Sequence, residues 1–200
     1  MLLVYIDDLH ITDNNAPLIQ TLIQDLHNRF ALKDLDLVKY FLGFESLRTT
    51  TSLHLTQSKY TLDPLTKTNM HSAKLVPTPM SATLKLHVAS GPASSNPTLY
   101  KSTIGVLQYL TYTRSDIAFA INKLNQYLQQ PIELHWKACK KVLPYLKCTV
   151  HHGLHFTPDS SLHLQVYTDT DWASSIDDRC STIDYFVFLV TNLLTWSSRK

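Results

Sequence analysis

The residues best placed to do chemistry are two adjacent carboxylates, Asp7 and Asp8, which end the run Leu2-Leu3-Val4-Tyr5-Ile6. That β-branched and aromatic run reads as a strand, and Leu9-His10-Ile11-Thr12 reads as its return, so the pair lies at the tip of a tight hairpin. Neighbouring carboxylates repel, and keeping both ionised at the end of a strand calls for a cation. Oxygen-only ligands favour Mg²⁺, which takes one or two carboxylates together with substrate phosphates. Two such ions stabilise the attacking and leaving oxygens of a phosphoryl transfer. Asp is equally ordinary in turns, and spacing alone leaves that reading open.

The elements that would position this pair follow in order. Asn14-Asn15-Ala16-Pro17 is a helix start, and Leu18, Ile19, Leu22, Ile23, Leu26 and Phe30 then form one apolar stripe, expected to be core. Residues 40–48 and 53–57 are strand candidates joined by a Thr-rich turn, and residues 59–70 form a short helix limited by Pro64. Residues 74–97, with four prolines, read as a linker whose later part is mobile. Three amphipathic helices are expected over 98–112, 115–130 and 133–147, although Pro144 inside the third should cost about 3 kcal/mol. The last fifty residues change period, and Leu162-His163-Leu164-Gln165-Val166-Tyr167 alternates as a strand. Residues 183–190 and 192–197 complete an antiparallel meander. Asp177-Asp178-Arg179 falls in the loop before that second strand, at the surface.

Composition narrows the function classes. The net charge of +2 hides a division. Residues 1–70 carry 6 basic against 8 acidic side chains, residues 71–150 carry 9 against 2, and residues 151–200 carry 3 against 6. A basic middle between acidic ends suits a polyanion held between two metal-binding regions. Lys101, Arg114, Lys123, Lys137, Lys140, Lys141 and Lys147 are interleaved with Tyr109, Tyr112 and Trp136. That pattern can follow a phosphate backbone while rings pack on sugars or bases, although aromatics on amphipathic helices are more often core. His151, His152 and His155 read as a solvated strand edge rather than a metal site. Cys139, Cys148 and Cys180 are an odd, scattered set and read as free thiols of a reducing, intracellular compartment. No apolar run approaches the ~20 residues of a membrane span, and the N-terminus has no signal-peptide pattern. Glycine is scarce, with 4 in 200 residues, so turns that need positive φ must use Asn or Asp, or be strained.

Tyr5-Ile6-Asp7-Asp8 resembles the Tyr-x-Asp-Asp box of reverse transcriptases, and the likeness continues along the chain. It runs through Phe30-Ala31-Leu32-Lys33-Asp34-Leu35, Tyr40-Phe41-Leu42-Gly43, Leu55-Thr56-Gln57-Ser58-Lys59-Tyr60 and Pro77-Thr78-Pro79-Met80. It goes on through Leu107-Gln108-Tyr109-Leu110-Thr111, Asp116-Ile117-Ala118-Phe119-Ala120, His135-Trp136, Asp169-Thr170-Asp171-Trp172-Ala173 and Trp196-Ser197-Ser198. In that order the chain resembles the Pol polyprotein of copia-type LTR retrotransposons, from the polymerase hairpin into the start of RNase H. Short copia-derived reading frames of plant genomes are similar. The resemblance implies an α+β fold. Residues 1–73 would be a remnant of the palm and the start of the thumb, 74–97 a linker, 98–150 a helical thumb or connection, and 151–200 the first antiparallel strands of an RNase H-like domain. It implies Mg²⁺ held by Asp7 and Asp8 and, separately, by Asp169, where RNase H-like domains carry a metal-binding Asp at the end of their first strand. Asp171 is expected to point to the opposite face. A primer–template or RNA/DNA hybrid would lie along Lys101, Arg114, Lys123, Lys137, Lys140 and Lys141.

The family pattern also sets expectations of loss. The polymerase site takes a further Asp from a strand before Tyr5, and the RNase H site takes a Glu and later Asp residues from beyond the Trp-Ser-Ser strand. Each site is therefore expected to be a fragment, with no turnover by the isolated chain. Asp36, Cys148, Asp184 and Val190 stand where the family has glycine, Pro144 where it has Arg, and Ser115 where it has Pro. A non-catalytic nucleic-acid-binding module, or an accessory half that completes a fingers–palm fragment, are the other readings.

Overall fold

The computed structural model describes Met1–Lys200 except Asp7, Asp36, His71, Ala82, Ala89 and Ser90. The expected roles of Asp7 and the glycine replacement at Asp36 therefore lie outside the described residues. The chain is α+β, with five helices and small antiparallel sheets among the described residues, and it divides into two compact units, Met1–Phe41 and Leu42–Lys200.

The first unit is the hairpin, a helix and a short strand. β1 (Leu2–Tyr5) pairs with β2 (Asp8–Ile11) in the register Leu2↔Ile11 through Tyr5↔Asp8. α1 (Ala16–Arg29) starts as expected: the Asn15 Oδ1 accepts the Leu18 N–H at 3.2 Å, and Pro17 fits the first turn, where its missing N–H costs nothing. The apolar stripe is present but is not core. Ile19, Leu22, Ile23 and Leu26 are half-buried, and Leu18 and Phe30 are exposed. Forty-one residues expose too much surface relative to volume to enclose a stripe of this size. β3 (Tyr40–Phe41) ends the unit, with the Phe41 ring 3.8 Å from the His10 ring and edge-on to Tyr5.

The second unit holds the core. β4 (Phe44–Arg48), β5 (Leu53–Thr56) and β6 (Gly153–Phe156) lie side by side and antiparallel. β6 follows the helices in sequence yet pairs with β5, Thr56 opposite Gly153. A Cβ on Gly153 would sit 2.1 Å from the Leu55 carbonyl oxygen, so this approach requires glycine. α2 (Ser58–Lys67), α3 (Pro97–Leu110), α4 (Ser115–Asn125) and α5 (Glu133–Cys148) enclose Leu65, Tyr100, Ile104, Leu107, Leu110, Ile121, Leu124, Val142, Leu143 and Leu146. α5 continues through Pro144, which is buried. The burial of Val142, Leu143 and Leu146 around it outweighs one lost hydrogen bond.

Two sequence expectations change here. The linker's later part is docked rather than free: Leu86 is buried in the core, Ser94 N–H donates to Pro131 O at 2.9 Å, and Ala93 bridges Ile132. α4 ends at Asn125, short of residue 130, because the backbone tightens into turns there, Tyr127 N–H donating to Leu124 O and Leu128 N–H to Asn125 O. β7 (Leu164–Asp171), β8 (Thr182–Leu189) and β9 (Asn192–Arg199) form the meander. β7 continues through Asp171, so the two-residue period puts Asp169 and Asp171 on one face, not on opposite faces.

Glycine scarcity leaves its mark. Ile6, Leu42, Asn69, Ala173, Arg179 and Val190 hold φ between +47° and +59°. Of these only Asn69 is a residue type that tolerates the left-handed region readily, so the others carry strain.

Candidate carboxylate sites and nucleic-acid interface

At the hairpin, Tyr5 pairs directly with Asp8, so the chain makes a tight reversal just after Tyr5. Ile6 makes it at φ +48°, a costly conformation for a β-branched side chain and the kind of strain that concentrates at functional sites. The result is an exposed Asp8 carboxylate at the foot of β2, open to solvent and to any ligand approaching the tip.

The second acidic position lies on the meander. Asp169 is exposed, its Oδ1 accepts the Thr170 N–H at 2.8 Å, and its partner across the ladder is Asp184. Directly opposite residues share a face, so two carboxylates stand side by side on neighbouring strands. Asp184 is half-buried, and its Oδ1 is buried without a hydrogen-bond partner. Sequence reasoning marked Asp184 only as a replaced glycine; the pairing register is what makes it a neighbour of Asp169. Among the described residues no three His, Cys, Asp or Glu side chains converge as a metal-binding group.

The acidic loop Asp177-Asp178-Arg179 is exposed, as expected, but it is fastened. Asp177 accepts the Val88 N–H at 3.0 Å and the Tyr127 hydroxyl at 3.3 Å. Burial, with Asp177 close by, pushes the Tyr127 hydroxyl up to about 12. Asp178 pairs with Lys200 at 2.7 Å, and that hydrogen bond holds its carboxyl far below the usual range.

The basic residues of the helices divide by environment. Lys101, Lys137 and Lys141 are exposed, and Lys137 and Lys141, four apart on α5, share a face. Lys140 is half-buried with Nζ 5.5 Å above the Trp136 ring, and Lys123 is half-buried over Phe119 and donates to Leu84 O. Arg114 is 2% exposed and is used internally. Its Nε and Nη2 donate to the two Asp116 carboxylate oxygens at 2.9 and 2.7 Å, and its Nη1 donates to Thr149 O at 3.0 Å. Tyr145 Oη also donates to Asp116. Burial alone would raise the Asp116 carboxyl, but the hydrogen bonds and charge of Arg114, with Tyr145, outweigh it and hold the carboxyl low. This guanidinium braces the start of α4 against the end of α5. Of the interleaved aromatics, Trp136 is core, Tyr109 is half-buried and Tyr112 is exposed.

Two clefts in the second unit draw on residues that sequence reasoning did not group. One, of about 530 Å³, is lined by His54, His151, His152 and His155. The β5–β6 register brings His54 opposite His155, so the strand-edge cluster gains a fourth imidazole from a hundred residues away. The other, of about 450 Å³, lies between α3, α4 and β9. It joins Tyr112 to Gln108, Asn122, Trp196 and Arg199, residues with no common sequence signal.

Comparison with known proteins decides the family. The reverse transcriptase (RNA-dependent DNA polymerase) family matches residues 1–82. Over 199 residues, 100% of its length, the chain is 44% identical to the retrovirus-related Pol polyprotein from transposon RE2 of Arabidopsis thaliana, covering 14% of that protein. It is 36% identical over 199 residues to an uncharacterized mitochondrial protein of Arabidopsis thaliana, covering 100% of this chain and 82% of the other. The chain belongs to the reverse transcriptase region of the copia-type retrotransposon Pol family. A further relative, the Pol polyprotein from transposon TNT 1-94 of Nicotiana tabacum, is 35% identical over 208 residues, across 100% of this chain and 16% of that protein. The copia-type chain thus spans 14% to 16% of the length of these Pol polyproteins. No solved structure matches it. Reverse transcriptases of this family act on nucleic acid and typically use Mg²⁺. Among the described residues no helix is long and apolar enough to cross a membrane.

Proposed function

We propose that this chain is the part of a copia-type reverse transcriptase that carries the catalytic hairpin, a helical thumb or connection, and the first strands of an RNase H-like domain. The observation that carries the reading is the hairpin. The strained reversal at Ile6 presents Asp8 at a strand end, within a Tyr-x-Asp-Asp box, on a chain matched over its whole length to Pol polyproteins. Asp7 and Asp8 would hold Mg²⁺ beside the primer terminus, and Asp169 would hold it on the meander.

The donors fit that ion. They are carboxylates only, and the Asp169–Asp184 pair includes a buried Oδ1 that lacks a partner. When bound, Mg²⁺ supplies charge stabilisation to the oxygens of the transferring phosphoryl group. The chain's own part is to keep Asp8 at a strand end and Asp169 on the β7 ladder, and to receive the nucleic-acid backbone on Lys101, Lys137 and Lys141, with Lys123 and Lys140 held closer to the body by Leu84 O and Trp136. Arg114 supports this surface from beneath through Asp116 and Thr149.

Two-metal transfer takes more than a pair of carboxylates, and among the described residues no three acidic or imidazole side chains converge, so in this proposal the 200-residue polypeptide assayed alone is inactive. Primer extension and hybrid-strand cleavage, measured with Mg²⁺ or Mn²⁺, are both expected at background. Extension that disappears in the Asp7→Asn, Asp8→Asn double variant would overturn the inactivity and keep the site. Extension unaffected by that double variant would overturn the site. The second reading, a nucleic-acid-binding module without turnover, draws on the exposed lysines of α5. It predicts salt-sensitive binding of a primer–template duplex that weakens in Lys137→Gln, Lys141→Gln.

A further inference from the structure

The cleft between α3, α4 and β9 is a built concavity that none of the phosphoryl-transfer chemistry above uses. Its volume of about 450 Å³ is within the range of small-ligand sites. Asn122 Nδ2 donates to Ser198 O at 2.6 Å and fastens α4 to β9 beside it. Gly105 contributes open space, since a Cβ there would meet nothing within 4 Å.

Three kinds of group along the wall, aromatic, amide and guanidinium, define the ligand's chemistry. Tyr112 is 64% exposed, an unusual position for a large ring, and Tyr109 stands edge-on to it at 5.6 Å, which steadies its orientation. Trp196, half-buried on β9, adds a second aromatic surface. Gln108, half-buried, lines the wall, and its side-chain amide carries both a donor and an acceptor for the edge of an occupant. Arg199, exposed at the rim, supplies a guanidinium whose donors match a phosphate. A purely apolar occupant would leave Gln108 and Arg199 unused. A flat aromatic ring with hydrogen-bonding edges and an attached anion uses all three.

We propose that this cleft binds a nucleotide unit, its base against Tyr112 and Trp196, its edge at Gln108 and its phosphate at Arg199. The proposal rests on the nucleic-acid reading above and assigns a separate place for an unpaired base. Aromatic platforms take bases of any sequence, so the cleft would favour single strands, in which the base faces are free.

The test uses the 200-residue chain. Fluorescence anisotropy reads its affinity for a single-stranded oligonucleotide and for a primer–template duplex, and calorimetry reads its affinity for adenosine monophosphate. Tyr112→Ala is expected to weaken single-strand binding about tenfold and leave duplex binding unchanged, while Tyr112→Phe keeps the ring and the affinity. Arg199→Gln is expected to weaken single-strand binding as well. Adenosine monophosphate that binds and competes identifies a free nucleotide as a sufficient ligand; a single strand that binds without such competition identifies the strand as the ligand. Single-strand affinity that is unmoved by Tyr112→Ala and Arg199→Gln but falls in Lys137→Gln, Lys141→Gln would overturn the cleft and keep the nucleic-acid reading. Absence of binding to either nucleic acid at low salt would overturn both.

Discussion

α1 and α3 begin from nearly the same local instructions and end in different circumstances. Each is 14 residues long, each is capped by an Asn whose side chain accepts the N–H three residues on, and each carries Pro in its first turn. Each has an apolar stripe. Yet α3 buries Tyr100, Thr103, Ile104, Leu107 and Leu110, while no described residue of α1 is fully buried. Capping and propensity decide that a helix forms and where it starts; they contribute about 1 kcal/mol each. What α3 has in addition is a set of neighbours, α2, α4 and α5, in the same unit. The difference teaches that a stripe reports a capacity for burial, and that the surrounding chain decides whether the capacity is used.

The largest way to sharpen this contrast is to remove a buried side chain from α3. Leu107 is fully buried among Ile104, Ile121 and Leu143, and Leu107→Ala removes its packing and leaves a cavity in a crowded core. A loss of about 2–5 kcal/mol is expected. Urea denaturation followed by circular dichroism would read it as a lowered midpoint. A midpoint within about 0.5 kcal/mol of the parent would mean that the second unit is not packed as described.

The next effect comes from two titratable groups of the second unit. His135 is buried: its Nδ1 accepts the Ile132 N–H, so its Nε2 carries the proton donated to His87 O, and its ring stacks on Tyr127 at 3.9 Å. Burial lowers its pKa below the ordinary 6.5. The unfolded chain therefore binds a proton as pH falls through about 6.5 while the fold does not, and stability declines from that pH downward. Asp116, held low against 3.8 by Arg114 despite its burial, contributes stability that is present above about 3.8 and lost as pH falls further. Each group can change stability by at most about 1.4 kcal/mol per pH unit. Thermal melts from pH 7.5 to pH 3 are expected to fall in two stages, and His135→Gln should remove the upper one. A melting temperature constant between pH 7.5 and 5 would refute the buried neutral imidazole.

These groups also mark where the sequence was legible. The helix start at Asn15, the three bundle helices, the meander and the existence of the first hairpin are local, and periodicity and turn chemistry expose them. The Asp169–Asp184 juxtaposition, the return of β6 to β5, the docking of Leu86 and the gathering of Tyr112, Gln108 and Arg199 are long-range. They depend on register and packing that no window of residues contains. Arg114 is the instructive case. Its charge and its aromatic neighbours suggested a contact with phosphate, and only the tertiary partners, Asp116 and Thr149, reveal that its donors are already committed.

Strain gives a smaller effect in the opposite direction. Val190 opens the β8–β9 turn at φ +56°, and it is only half-buried. Left-handed geometry costs an L-residue about 1–2 kcal/mol, more than glycine's added flexibility loses. Val190→Gly is expected to stabilise the chain by about 1 kcal/mol, read as an increase in the urea midpoint. A decrease would show that the Val190 side chain contributes more by packing than its backbone costs.

The smallest expected effect probes the other half of the comparison. Leu18 begins the α1 stripe, yet it is 55% exposed and faces no enclosed core. Removing its side chain deletes little apolar contact, and alanine is the better helix former, so the two small effects oppose each other. Leu18→Ala is therefore expected to change stability by less than about 0.5 kcal/mol, against the several kcal/mol expected at Leu107. Amide exchange gives a second readout. α1 should exchange faster than α3, because its hydrogen bonds are backed by half-buried rather than buried side chains, and local opening follows local burial. If Leu18→Ala cost as much as Leu107→Ala, the stripe would be covered in solution by something other than its own unit. Sedimentation of the parent chain would then show whether the cover is a second copy. A dimer that dissociates on Leu18→Ala would place α1 at an interface, and the difference between the two helices would then be one of partner and not of burial.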